Sequence, residues 1–201
     1  MDNDSIALQA PASIQAWVSV LWTSASDYGS EPIRENVLPT SHMHLTVRLS
    51  GPPLRLFVHS DDLQPITIEG PIIGGARSSF YAKELAGNVV TVGAVLRPGA
   101  SLALLGVSAE ELAEQHTSLR ELWGPAAETL HDRLAGTSNP LARIRLLADC
   151  LSQRASGAKP VQPLVQHTMA ALSRPSRIDT LVRFSSLSHR SFINQFRHVK
   201  V

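Results

Sequence analysis

Between Met43 and Leu49 the chain alternates strictly, with Met43, Leu45, Val47 and Leu49 separated by His44, Thr46 and Arg48. A period of two places the two sets on opposite faces of one element, so this segment is expected to form a half-buried strand. It is one of a series of short β-rich runs: Ala16–Trp22, Met43–Leu49, Leu54–His59, Pro65–Glu69, Ser79–Ala82, Val89–Leu96 and Leu102–Leu105. Ser50-Gly51-Pro52-Pro53, Glu69-Gly70-Pro71, Gly74-Gly75 and Arg97-Pro98-Gly99 punctuate them as turns. Many short strands at such spacing predict a barrel or a sandwich. From residue 108 the period changes. Ser108-Ala109-Glu110-Glu111 has the pattern of a capping box. Leu119, Leu122, Trp123, Ala126, Leu130 and Leu134 then recur at helical spacing, with Pro125 as a kink or a fresh start and Gly136 as a stop. Asn139-Pro140 opens a further helix with Leu141, Ile144, Leu147, Ala148 and Leu151 on one face. These stripes read as ordinary core, with pairing to a second copy of the chain as the alternative.

Of 201 residues, 43% are hydrophobic and 17% charged, enough to bury a core and incompatible with a disordered chain. Mean hydropathy is +0.01 and no stretch approaches twenty uninterrupted apolar residues, so no membrane-spanning helix is expected. The acidic start Met1-Asp2-Asn3-Asp4 lacks the basic flank of a signal peptide. With Cys150 as the single cysteine, neither an intrachain disulfide nor a four-cysteine zinc site can form, and a reducing cytoplasm is the expected setting. Cys150 itself, inside the Leu147–Leu151 apolar run, reads as core.

Net charge is +1 but unevenly spread. Residues 160–201 hold Arg174, Arg177, Arg183, Arg190, Arg197 and Lys200 against Asp179 alone, whereas the preceding body is acidic. A basic tail on an acidic body suggests an anionic partner, the alternative being a solvated helical surface. Ala155-Ser156-Gly157-Ala158-Lys159-Pro160 is a linker by composition. Leu164, Val165, Thr168, Met169 and Leu172 make a short amphipathic helix, broken at Ser173-Arg174-Pro175-Ser176. Residues 178–197 then read as helix, tight turn, helix. Ile178, Leu181 and Val182 form the inner face of the first helix, Leu187 plugs the turn, and Ser188 is placed to cap the second. Phe192, Phe196 and Val199 point inward. The opposite face carries His189, Arg190, Ser191, Asn194, Gln195 and Arg197, side chains suited to a DNA major groove. An ordinary helical hairpin is the alternative.

The pattern at 178–196, with Ile178, Leu181, Leu187, Ser188, Arg190, Phe192 and Phe196 at the matching positions, resembles the first helix-turn-helix of AraC-type transcriptional regulators. Upstream, Leu96-Arg97-Pro98-Gly99-Ala100, the stretch Leu104–Leu112 and Leu119-Arg120-Glu121-Leu122-Trp123-Gly124 resemble the effector-type N-terminal domain of one AraC subgroup. Two positions depart from the family pattern: Val182 where the family has alanine, and Ser186 where it has a turn glycine. The family also carries a second helix-turn-helix downstream, which a sequence ending at Val201 does not contain. With one reading head, DNA affinity and site length are expected to fall.

The resemblance implies a β-rich, cupin-like barrel as sensory domain over 1–107, a helical connector with candidate dimerisation helices over 108–156, and a partial DNA-binding region over 160–201. The expected function is a non-enzymatic, DNA-binding regulator, homodimeric, whose placement on double-stranded DNA responds to a small-molecule effector. Arg190 and Asn194 would contact bases, Ser188, Ser191 and Arg197 phosphates, with His189 and Gln195 beside them. The alternative is a ligand-binding or dimerisation module that does not bind DNA productively. His44, Arg48, Arg55 and His59, with Arg77, Tyr81 and Arg97 as companions, are candidates for the mouth of an effector pocket, against a solvated sheet face. His42-Met43-His44 has the His-x-His of metal-binding cupins, but no carboxylate follows in 45–50, so no metal or cofactor is expected. Asp61-Asp62 reads as a solvated turn, and Trp17, Trp22 and Trp123 as core, with stacking on a ligand as the alternative. No nucleophile-and-base motif or phosphate-binding loop occurs.

Overall fold

The computed structural model describes residues 3–158, 168, 178–185 and 187–192. The strands are β1 (Asn3–Gln9), β2 (Val18–Asp27), β3 (Ile33–Val37), β4 (Met43–Arg48), β5 (Leu54–Phe57), β6 (Ile66–Ile68), β7 (Ile72–Gly74), β8 (Tyr81–Leu85), β9 (Asn88–Leu96) and β10 (His116–Ser118). They form two antiparallel sheets, one in the order β1-β2-β9-β4-β7-β10 and one in the order β3-β8-β5-β6. No ladder joins the two, so the expected closed barrel is replaced by a pair of open sheets. The turn signals explain this. The chain passes from β4 in the larger sheet to β5 in the smaller through Gly51, at φ 92°, and Pro52-Pro53. It returns from β6 to β7 through Gly70, at φ 73°, and Pro71. Proline has no N–H to donate, so these corners cannot carry ladder bonds around from one sheet to the other.

Strand β4 keeps its alternation: Met43, Leu45 and Val47 are buried, and His44, Thr46 and Arg48 are half-buried on the other face. The buried face of the larger sheet packs Leu21, Leu45, Val47, Ile73, Val92 and Leu96 against a helical layer. That layer comprises α1 (Ala100–Leu105), α2 (Ala109–Leu112), α3 (Leu119–Trp123), α4 (Pro125–Ala135) and α5 (Pro140–Ala155). Leu104, Leu112, Leu119, Trp123, Leu130, Leu134, Ile144, Leu147 and Leu151 face the sheet, so the stripes of α4 and α5 are core. Cys150 is half-buried against it.

Several helix ends follow the sequence. Ser108 Oγ accepts from Glu111 N while the Glu111 carboxylate accepts from Ser108 N at 2.8 Å, completing the capping box. Pro125 is the first residue of a new helix, with Gly124 between α3 and α4. Gly136 ends α4, and Asn139 Oδ1 accepts from Ala142 N at the start of α5. Two expectations fail. Leu102–Leu105 belongs to helix α1, because Leu and Ala favour helix and left-handed glycines, Gly99 (φ 84°) and Gly106 (φ 79°), bound it. Gly74-Gly75 is not a turn. Gly74 ends β7 and Gly75 is buried so close to the Leu112 carbonyl that a Cβ there would sit 1.7 Å from its oxygen.

Toward the C-terminus a helix spans Ile178–Ser185, with Leu181 buried. Leu187 N donates to Ser185 Oγ at 3.2 Å, Ser188 Oγ accepts from Ser191 N at 3.2 Å, and His189–Phe192 is helical with Phe192 buried. The amphipathic helix expected over 164–172, apart from the buried Thr168, and Asn194, Gln195, Phe196, Arg197 and Val199 lie outside the described residues. Among the described residues, no helix is long and apolar enough to cross a membrane.

Candidate functional site

A cavity of about 550 Å³ lies between the two sheets. Its floor is the polar face of the larger sheet, and register organises that face into three rows. In the first, Ser24 pairs with Thr91 and Thr91 with Arg48. In the second, Trp22, Gly93, Thr46 and Ile72 stand side by side. In the third, His44 and His116 flank Gly74. The opposite wall comes from the smaller sheet: Leu54 and Leu56 of β5, and Tyr81, Lys83 and Leu85 of β8.

Glycine shapes this floor. A Cβ on Gly93 would lie 2.2 Å from Trp22 Cζ2, and one on Gly74 would lie 2.5 Å from His44 Nε2. The indole and the imidazole therefore occupy the space that side chains at 93 and 74 would take.

At one end the rings cluster. His44 and His116 stand edge to face with centroids 6.4 Å apart, His116 and Tyr81 at 4.7 Å, and the Arg77 guanidinium lies 4.8 Å above the Tyr81 ring. Burial first, then the charges of His44 and Arg77, lowers His116 to about 4. Burial, then Lys83, lowers His44 as well, with the His42 backbone working against them. Both imidazoles are thus neutral near pH 7. Burial raises the Tyr81 phenol, which stays protonated. Glu114 holds this end in place. Its carboxylate accepts from Ser78 N at 2.6 Å, Ser78 Oγ at 2.8 Å and Ser79 Oγ at 3.2 Å, bonds that lower its pKa. Its own backbone, at φ 61°, lies in the left-handed region that non-glycine residues seldom adopt.

At the other end Arg48 lines the cavity. Its Nε is shut off from solvent with no hydrogen-bond partner, and no ion pair joins it to a carboxylate among the described residues. Burial pulls its pKa down from the usual guanidinium value, yet an arginine remains charged. His131 Nε2 donates to the Arg48 carbonyl at 3.2 Å, which fixes the proton on that nitrogen. His131 belongs to α4 and is, among the described residues, the one helical residue in the cavity wall.

The residues expected at the pocket separate accordingly. His44, Arg48 and Tyr81 line the cavity. Arg77 touches it through the Tyr81 ring, its own Nε buried and unpartnered among the described residues. Arg55 is outside, paired with Glu84 at 2.5 Å; alternation along β5 turns it away from Leu54 and Leu56. His59 lies exposed in the loop after β5, its ring 6.1 Å from Phe80. Arg97 is exposed between β9 and α1. His42 is also exposed, bonded to Thr40. No group of three or more metal-ligating side chains converges among the described residues. Trp22, read as core, lines the cavity instead, because Leu21 takes the inward position on β2. Sequence reasoning also missed His116, Lys83 and His131. Of the residues expected to meet DNA, Ser188, His189, Arg190 and Ser191 are exposed.

Residues 7–118 match the family described as a domain of unknown function (DUF6597). No curated protein matches the chain. Similar solved structures include an apo variant of ToxT from Vibrio cholerae strain SCE256, at 8% identity over 96% of this chain and 78% of that one, with a TM-score of 0.45. ToxT from Vibrio cholerae O395 bound to (E)-4-(8-methylnaphthalen-1-yl)but-3-enoic acid is 6% identical over 100% of this chain and 76% of that one, with a TM-score of 0.37. Vicilin from Corylus avellana is 11% identical over 58% and 44%, with a TM-score of 0.31.

Proposed function

We propose, from the premise that the chain belongs to the DUF6597 family, that it is the sensory part of an AraC-type transcriptional regulator and has no catalytic activity of its own. The observation that carries this reading is the cavity: a concave chamber of small-molecule size in which Leu54, Leu56 and Leu85 of one sheet face the polar floor of the other, with His44, Thr46, Arg48 and Thr91. The AraC-like pattern over 178–196 supplies the output. Arg190 and Asn194 contact bases, Ser188, Ser191 and Arg197 phosphates, with His189 and Gln195 beside them, in a homodimer on double-stranded DNA. An effector held better in one arrangement of the sheets than another shifts the placement of that head.

The test is a gel-shift titration of the chain on duplex DNA at several salt concentrations. Retardation should fall steeply as salt rises, because phosphate neutralisation releases counterions. Arg190→Ala should relax base preference in a binding-site selection, with a loss of about 1–3 kcal/mol at the contacted position. Retardation of no duplex at any salt would reject the DNA-binding half. The cavity, whose lining among the described residues runs from 22 to 131, would then support a ligand-binding module without DNA output.

A further inference from the structure

The three rows of the cavity floor differ in chemistry. Arg48 lies four positions along β4 from His44, roughly 13 Å of extended chain. The Arg48 row adds two hydroxyls, Ser24 and Thr91, whose oxygens bond each other at 2.7 Å. The middle row sets the Trp22 indole over Gly93, with the Thr46 hydroxyl and Ile72 beside it. The last row presents two imidazoles, with Tyr81 above them. Of the other charged groups in the wall, Lys83 faces Glu35 at 3.6 Å, and Glu69 lies exposed in the loop before β7. Arg48 is thus a cation in a walled site with no carboxylate beside it, and a buried guanidinium gains most from a carboxylate that meets it in two parallel bonds. A neutral imidazole keeps one ring nitrogen able to accept a hydrogen bond, so the far end can take a donor.

Resting on the sensing function above, we propose that the cavity selects a flat aryl carboxylate with a hydroxyl at its far end: the carboxylate on Arg48, the ring along Trp22, and the hydroxyl donating to the His44–His116 pair. No covalent step is involved.

Calorimetric titration of the full chain with three probes tests this: 4-hydroxycinnamate, its neutral amide, and cinnamate without the hydroxyl. The acid should bind roughly tenfold to a hundredfold tighter than the amide, the usual value of a charge-assisted bond. Arg48→Gln should erase that preference. Arg48→Lys, which keeps the charge, should retain part of it, and thermal melting reports whether each variant is folded. His44→Phe should narrow the advantage of 4-hydroxycinnamate over cinnamate. Equal affinity for acid and amide in the unmodified chain, or no saturable binding of any probe at millimolar concentration, overturns the assignment without recourse to a variant. Because no DNA is present, the two ideas fail separately. A neutral compound bound in preference to the acid removes the ligand class and leaves sensing. Tight acid binding that never alters gel retardation removes sensing and leaves the ligand class.

Discussion

At the scale of single residues, the imidazoles make a pH-dependent contribution. An unfolded histidine titrates near 6.5, whereas His116 in the fold titrates at about 4. Between these values the unfolded chain holds more protons, so the contribution is complete above 6.5 and is lost as pH falls toward 4, by about 3 kcal/mol. His44, lowered by the same burial, adds to the loss in the same direction. Arg77 and Tyr81, packed against the pair, do not change charge in that window. Denaturant melts between pH 7 and pH 4 should show this slope, and His116→Phe, which keeps an aromatic edge against Tyr81, should flatten it. A slope unchanged by that substitution would place the titration elsewhere. The sequence showed His44 and Arg48 plainly, since both lie on the polar set of one alternating strand. It did not show His116, because a strand of three residues in a helical stretch has no period to detect. Nor did it show that the polar face of β4 is roofed by a second sheet, because that depends on pairings between distant segments.

At the scale of elements, local signals were the most legible. The Ser108 cap, the fresh start at Pro125, the stop at Gly136 and the Asn139 cap are all set by chemistry within four residues. Ser108→Ala should cost about 1 kcal/mol, read as a lower melting temperature, because it leaves the Glu111 amide without its acceptor. Elements without internal pattern were harder. Strand β1 is almost wholly exposed and borrows its conformation from pairing with β2. The Leu102–Leu105 run, apolar and short, fits strand or helix equally until the glycines on either side are given their left-handed φ. Helix α4 matters for a different reason: through His131 it is the piece of the helical layer that touches both the cavity and the Arg48 carbonyl. His131→Leu should leave ligand affinity within a few-fold and reduce the effect of ligand on DNA retardation. An undiminished response would mean the coupling runs by another route.

At the scale of the whole molecule, the larger sheet serves two masters. One face is committed to the helices and carries the stability of the core; the other lines the cavity. The strict alternation of β4 is the sequence record of that division, and the proline corners are what let a second sheet stand opposite rather than close a cylinder. Gly74 and Gly93 then acquire a meaning beyond backbone freedom. The floor has the outline it has because two hydrogens, at 93 and 74, leave room for the Trp22 indole and the His44 imidazole. Its appetite for one guest or another could therefore drift through changes of a few atoms at the floor, while the scaffold, whose side chains all point the other way, need never notice.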